Sequence, residues 1–163
     1  RALNDHPRNM TDDMIKALAA KGGVIQINFY PSFLDSSYGA AVSSLADAAE
    51  DAEKAWLQDP GDPVLQERLR EAVAAMNAVP RPSYKKVVDH IDHVAGLVGA
   101  EHVGLGSDFD GIETCPEGLE DVSKMQRIVI ELRKRGYSDR AVRQIAGGNF
   151  LRVMETVQSM ATV

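Results

Sequence analysis

The chain has 163 residues, of which 44% are hydrophobic and 26% are charged, a composition typical of globular proteins that bury a sizeable core. Its 24 acidic and 18 basic side chains give a net charge of -6 and are spread along the sequence, which argues against nucleic acid or an anionic membrane as a main partner. The single cysteine, Cys115, excludes an intrachain disulfide framework, and no apolar run reaches the roughly 20 residues of a membrane-spanning helix.

The first part of the chain predicts a helix, a tight turn and a strand. Thr11 is a suitable N-cap, and the acidic first turn and the apolar spacing that follow predict a helix to about Lys21, where two glycines end it. The β-branched and aromatic run from Val24 to Tyr30 predicts a strand, which Pro31 stops.

A helical hairpin is predicted over residues 36–80. The stretch from about Ser36 to Gln58 is rich in alanine, leucine and acids, and a proline- and glycine-containing break then separates it from a second helical stretch. Asp62 as N-cap and Pro63 at the first helical position fit the start of that second helix. We interpret this segment as an insertion after a strand.

A further helix and strand follow the hairpin. Ser83 is the expected N-cap of a helix with one apolar face, and Gly99 ends it. The apolar run from His102 to Ser107 is typical of a buried parallel strand and leads directly into Asp108.

Two more helices are expected over 117–163. Their apolar positions are Val122, Met125, Ile128, Val129 and Leu132 in the first, and Val142, Ile145, Phe150, Val153 and Met154 in the second, which Ser138 caps.

This order of elements predicts an α/β fold. Strands that are separated by crossover helices pair in parallel. Two strands cannot cover their own faces and edges, and a complete (β/α)₈ barrel takes about 250 residues. The chain also begins at Arg1 inside what looks like the middle of a motif. We therefore expect residues 1–163 to be the C-terminal part of one TIM-type (β/α)₈ barrel domain, with a helical-hairpin insertion and C-terminal helices.

Asp108, at the tip of the second strand, is the main catalytic candidate. A carboxylate at such a strand end can accept a proton from a metal-bound water, return it to a leaving group, or ligate a metal. The structural alternative is a carboxylate that caps the next loop, which Asp110 before Gly111 suits well. Asp-x-Asp-Gly also suggests a phosphotransferase of the haloacid-dehalogenase type. That enzyme needs a further strand with threonine or serine, a lysine and an acid pair downstream, whereas the residues that follow here predict helices. An EF-hand fails because its twelfth position holds Leu119.

His90 and His93 lie three residues apart on the predicted helix, a separation that can share one metal ion. With Ile91 at the centre of the apolar face, both histidines are expected to point toward the polar side of the helix. A structural role is therefore favoured for them, and also for His102 at the start of the strand.

Arg8 precedes the first helix, in a loop expected beside the mouth of the barrel. A guanidinium there can clamp a carboxylate through two parallel hydrogen bonds, whereas a cation at a helix start otherwise opposes the helix dipole. Its neighbour Asn9 is assigned to the same substrate-binding set. Tyr30 and Phe33 are candidates to wall an apolar pocket, and packing under the insertion explains these two rings equally well.

Five strings in the chain, in this order and spacing, closely resemble membrane (renal-type) dipeptidase, peptidase family M19 of the amidohydrolase-like barrels. They are His-Pro-Arg-Asn-Met at 6 to 10, Ile-Asn-Phe-Tyr at 27 to 30, Gly-Ser-Asp-Phe-Asp-Gly at 106 to 111, Pro-Glu-Gly-Leu-Glu-Asp-Val-Ser at 116 to 123, and Gly-Asn-Phe-Leu-Arg-Val at 148 to 153. The resemblance covers nearly the whole chain apart from the hairpin.

The resemblance implies a barrel with two zinc ions at its mouth, which hydrolyses dipeptides, including those with a C-terminal D-residue, by a zinc-bridging hydroxide. Asp108 matches the family's proton-transferring acid, and Arg8 matches the arginine that holds the free C-terminal carboxylate of the substrate. Tyr30 falls at a pocket aromatic. Phe33 falls where some members carry tyrosine, so any hydrogen bond from that position is lost.

The zinc ligands that the resemblance implies, an early His-x-Asp, a glutamate and two histidines, belong to sequence preceding Arg1. We therefore expect no metal ligands in this chain and no hydrolysis by the chain on its own. The alternatives are another metal-dependent amide or lactam hydrolase, or a non-catalytic barrel with a binding role. Barrels of this kind often associate, and Trp56 and Leu57 are candidates for a homodimer interface, although packing inside the hairpin explains them equally well.

Overall fold

The computed structural model describes residues 1–161. Over these residues the chain forms a two-stranded sheet and eight α-helices. The strands are β1 (Ile25–Asn28) and β2 (Val103–Gly106), and the helices are α1 (Asp12–Ala20), α2 (Pro31–Leu34), α3 (Ser36–Gln58), α4 (Pro63–Asn77), α5 (Lys85–Val98), α6 (Gln126–Lys134), α7 (Asp139–Arg143) and α8 (Asn149–Ala161). Short 3₁₀ turns occur at Ala100–His102 and Val122–Lys124, and a π turn at Gln144–Gly148.

The two strands pair in parallel, as predicted, in a register that sets Ile25 opposite Val103 and Asn28 opposite Gly106. β1 is shorter than the predicted run because the chain turns immediately after Asn28. The Asn28 side-chain oxygen accepts a hydrogen bond from the Tyr30 N–H at 2.7 Å, which fixes that turn. The α/β class is therefore confirmed, with both strand ends at the same edge of the sheet.

Helix α5 provides the apolar face that covers the sheet. Val87, Val88 and Ile91 are fully buried, as predicted from their spacing, and the core continues through β1, β2 and the C-terminal helices. Gly99 ends this helix, also as predicted, with φ of 100°. Ser83 is not the N-cap residue that we expected. The helix starts one position later, because residue 83 instead forms an isolated bridge with Glu117.

The predicted helical hairpin is present as α3 and α4, which contact each other extensively. Asp62 caps α4 by accepting a hydrogen bond from the Val64 N–H at 2.7 Å, as expected. The hairpin contributes little to the core, since α4 has no buried residue. Trp56 is half-buried against α4, whereas Leu57 is 59% exposed.

An arginine-centred ion cluster joins α5 to the end of α6. The Arg135 guanidinium donates to Asp89 at 2.7 Å, to Asp92 at 2.6 Å and to Glu131 at 3.3 Å. The Tyr137 hydroxyl donates to the other oxygen of Asp92 at 2.8 Å. Charge-assisted bonds of this kind are stronger than neutral ones, so the cluster fixes the two helices against each other.

The C-terminal segment differs from the prediction. The helix capped by Ser138 does not run on to Met154, because the backbone kinks at Gly147 and α8 starts afresh. Phe150 and Met154 are consequently 48% and 39% exposed instead of core-facing. The buried residue is Asn149, whose amide donates to the carbonyls at 100 and 103, at 2.7 and 2.8 Å. Val122, predicted on a helical apolar face, lies in a 3₁₀ turn and is 71% exposed.

None of the helices described over residues 1–161 combines the length and the apolar character needed to cross a membrane.

Asp35 gives a stability prediction at acid pH. Its carboxylate accepts hydrogen bonds from Ser37 and the Tyr38 N–H and lies 3.0 Å from the Lys86 ammonium. The bond from Ser37, followed by Lys86, lowers the pKa of Asp35 from 3.8 to about 2. Because the folded-state pKa is depressed, the stabilisation is complete above about pH 4 and is lost as the pH falls toward 2.

We expect Asp35→Ala to lower the free energy of unfolding by about 1 kcal/mol at pH 7, through loss of the cap. Urea titrations at pH 7, 4 and 2.5 measure this, and the difference between the variant and the wild type should shrink at the lowest pH. A difference that stays constant down to pH 2.5 would contradict the assigned role of the carboxylate.

Candidate functional site

The carboxyl ends of β1 and β2 bring Asn28 and Asp108 together, although they are 80 positions apart in sequence. The Asn28 side-chain amide donates to Asp108 Oδ2 at 2.8 Å. Asp108 is exposed to solvent. In parallel sheets this edge is where ligands bind and chemistry occurs.

Asp108 adopts an unusual backbone conformation. Its φ is 62°, the one left-handed value among the non-glycine residues described over 1–161. A hydrogen bond from the Gly111 N–H to the Asp108 carbonyl at 3.0 Å closes the turn that holds it. Aspartate tolerates this region better than most residues, and backbone outliers of this kind cluster at functional sites.

Arg8 is exposed, and its guanidinium carbon lies 5.3 Å from the centre of the Phe33 ring, a cation–π arrangement. Within residues 1–161 it forms no ion pair with a carboxylate. Arg8, Asn28 and Phe33 all line a cavity of about 280 Å³. A guanidinium that rests on an aromatic ring and has its donors free is suited to binding an incoming anion.

Asn9 is used within the fold. Its amide nitrogen donates to the carbonyl of Asn4 at 3.0 Å and to that of Phe33 at 2.9 Å, which ties the N-terminal loop to α2. Both N–H groups are therefore occupied, and only its oxygen is left for a ligand. Tyr30 and Phe33 are partly buried and pack edge to face, with ring centres 4.9 Å apart. Of these two rings, Phe33 lies under Arg8 and lines the cavity, and Tyr30 packs against Phe33.

The two α5 histidines do not lie on the polar side as predicted, because both are half-buried and line the same cavity as Arg8. His90 Nε2 donates to the Leu34 carbonyl at 3.1 Å, and burial lowers the pKa of this histidine. His93 bonds to Asp12 at 2.8 Å, which lowers the pKa of the aspartate. His102 has the structural role that we expected, since Nδ1 bonds to the Gly23 carbonyl at 2.8 Å.

Metal ligands are not clustered in the part of the chain that the structure describes. Over residues 1–161, no group of three or more histidine, cysteine, aspartate or glutamate side chains is arranged to hold a metal ion. Asp110 is exposed beside Asp108, and neither has such partners.

Asn28 is a residue of the candidate site that the sequence pattern alone does not single out. It lies in the Ile-Asn-Phe-Tyr string at 27 to 30, where the apolar, β-branched pattern predicts only a strand. The available signal was an amide side chain at the carboxyl end of an otherwise apolar, β-branched run, where a polar residue needs a partner.

The model of one family, membrane dipeptidase (peptidase family M19), matches residues 1–163. The chain belongs to peptidase family M19. Among curated relatives, the dipeptidase verJ of Clonostachys rogersoniana is 33% identical over 160 residues, and the dipeptidase aclJ of Aspergillus oryzae is 34% identical over 160 residues. Each alignment covers 98% of this chain but only 30% and 28% of the relative, respectively.

Solved structures agree with this assignment. The crystal structure of the probable dipeptidase PvdM from Pseudomonas aeruginosa is 32% identical and superposes with a TM-score of 0.66, covering 93% of this chain and 41% of the other. A second M19 structure, of the dipeptidase AC, is 23% identical with a TM-score of 0.64 and supports the fold. The chain thus spans about 30% of the length of the curated relatives that it matches.

Gly111 gives a prediction about the geometry of this site. A Cβ at this position would overlap Asp108 Oδ1, which can move because it ends a flexible side chain. We expect Gly111→Ala to change the free energy of unfolding by no more than about 1 kcal/mol but to displace the Asp108 carboxylate from Asn28. Thermal unfolding and a structure of the variant measure the two effects. An unmoved carboxylate would contradict the prediction.

Proposed function

We propose that this chain supplies the proton-transfer group and the carboxylate-binding group of a dipeptidase that hydrolyses dipeptides, including those with a C-terminal D-residue. The observation that carries the proposal is the exposed carboxylate of Asp108, held by Asn28 at the shared carboxyl edge of two parallel strands. Membership of the membrane dipeptidase family supports it.

In this proposal Asp108 acts as general base and then as general acid. It accepts a proton from the water whose oxygen attacks the scissile carbonyl carbon. It then delivers that proton to the amine nitrogen as the carbon–nitrogen bond breaks. A positioned carboxylate that transfers protons in this way contributes about 10² to 10⁴ to the rate.

Arg8 is proposed to bind the free C-terminal carboxylate of the dipeptide. Its donors are unpaired within residues 1–161, and the Phe33 ring, which packs against Tyr30, bounds the space beside it. A longer peptide or an amide would leave the guanidinium without its anionic partner, so such substrates are rejected. Asn9 contributes by holding the loop that carries Arg8.

In this proposal the metal ions are bound by the full-length protein and not by this chain alone. The family resemblance implies two zinc ions, but residues 1–161 do not fit a metal site, since their candidate ligands form no cluster. When bound, zinc polarises a carbonyl and lowers the pKa of its water. We propose that the ligands come from polypeptide outside this chain and that the chain alone does not hydrolyse dipeptides.

We also propose a barrel architecture for the domain to which this chain belongs. We infer that β1 and β2 are the last two strands of a (β/α)₈ barrel, with 36–80 as a helical insertion and 117–163 as C-terminal helices. The coverage of 41% of a matched M19 structure supports a partial domain, as does a sheet of only two strands over the described residues.

Asp108→Asn tests the proton-transfer role in the full-length protein. The amide cannot accept the proton, so we expect kcat to fall by at least about 100-fold while the bound zinc, measured by elemental analysis, stays near the wild-type content. The measurement is hydrolysis of dipeptides ending in L- or D-alanine, with a lactam as the competing substrate class. Wild-type turnover in this variant would show that Asp108 has no such role.

Arg8→Ala tests the carboxylate clamp. We expect kcat/KM for a dipeptide to fall by about 10- to 100-fold, with a much smaller change for the corresponding C-terminal amide, because only the carboxylate loses a charge-assisted partner. Arg8→Lys is the matched control, because it keeps the positive charge but lacks the two parallel N–H donors of the guanidinium. Its kcat/KM for the dipeptide should lie between those of the wild type and Arg8→Ala. Unchanged discrimination between acid and amide in Arg8→Ala would exclude the clamp.

A further inference from the structure

Asn28 connects the loops that follow the two strands. Its Oδ1 accepts a hydrogen bond from the Tyr30 N–H at 2.7 Å, and its Nδ2 donates to Asp108 Oδ2 at 2.8 Å. The side chain is the last of β1 and stands opposite Gly106, two residues before Asp108. Asn28 thus contacts both the turn of its own strand and the proposed proton-transfer group.

The two hydrogen-bond partners of the Asn28 side chain fix the orientation of its amide. A backbone N–H can only donate, so the Asn28 oxygen must face Tyr30 and the Asn28 nitrogen must face Asp108. Turning the amide over would set nitrogen against N–H and oxygen against carboxylate, and both hydrogen bonds would be lost. Asn28 therefore presents an oriented N–H donor to one oxygen of Asp108.

The other oxygen of Asp108 is left open. Within residues 1–161, Oδ1 accepts no hydrogen bond and lies against Gly111, which has no Cβ to obstruct it. The left-handed backbone at Asp108 and the Gly111 N–H fix where the side chain begins. Asn28 then fixes how the carboxylate is rotated, by holding Oδ2.

We infer that Asn28 is a positioning residue for proton transfer, an inference that rests on the function proposed above. It holds Oδ2 so that Oδ1 accepts the proton of the attacking water and passes it to the departing amine. The competing role is purely structural, in which Asn28 only ties the two strand ends together. A structural tie affects stability, whereas a positioning residue affects kcat in protein that is still folded.

Asn28→Asp in the full-length protein separates these roles. When ionised, the new carboxylate still accepts from the Tyr30 N–H, but it has no proton to donate to Asp108. We expect kcat for a dipeptide ending in D-alanine to fall by about 10- to 100-fold, as for other residues that orient a catalytic group, with KM within about threefold. Gln58→Ala, which removes an exposed amide at the end of α3, is the control and should keep kcat within about twofold.

Asn28→Ala is the second variant, because it removes the donor without adding charge and decides the question if Asn28→Asp does not fold. Combined with Asp108→Asn, it should cause no further loss of kcat beyond that of Asp108→Asn, since Asn28 acts through that carboxylate. Additive losses, or a full kcat in folded Asn28→Ala, would overturn the inference. If Asp108→Asn itself kept wild-type turnover, the proposed function would fail, and the inference with it.

Discussion

The parallel pairing of β1 with β2 is the constraint on which the site depends. The four-residue register sets Asn28 opposite Gly106, and this places the 28–30 turn beside the 107–111 turn. A shift of one residue would move the Asn28 side chain to the other face of the sheet and away from Asp108. The burial of α5 against the sheet, through Val87, Val88 and Ile91, makes such a shift costly.

Much of this arrangement follows from local sequence rules, because the signals that carry it are short-range. The cap at Asp62, the stop at Gly99 and the apolar spacing of α5 depend on neighbours within one or two helical turns. The strand ending at Asp108 was likewise recognisable from an apolar run that leads into a carboxylate. These elements sufficed to place Asp108 at the carboxyl edge of a parallel sheet.

The predictions that are wrong concern residues whose positions depend on contacts with residues far away in the sequence. Asn149 is buried because its amide satisfies two carbonyls near the start of β2, and the restart of α8 turns Phe150 outward. His90 and His93 are half-buried because they bond to the Leu34 carbonyl and to Asp12, respectively. The partnership of Asn28 with Asp108 joins positions 80 apart. Helical periodicity and strand patterns carry no information on such contacts.

The α3–α4 hairpin packs little against the core, and this has a practical consequence. Its tip, between the end of α3 and Pro63, is exposed, and α4 buries no side chain in the core. Exposed tips of this kind accept added polypeptide with little energetic penalty. An epitope or a fluorophore-bearing peptide grafted between Asp59 and Asp62 would therefore report on the molecule in cells without touching the strand ends where Asp108 lies.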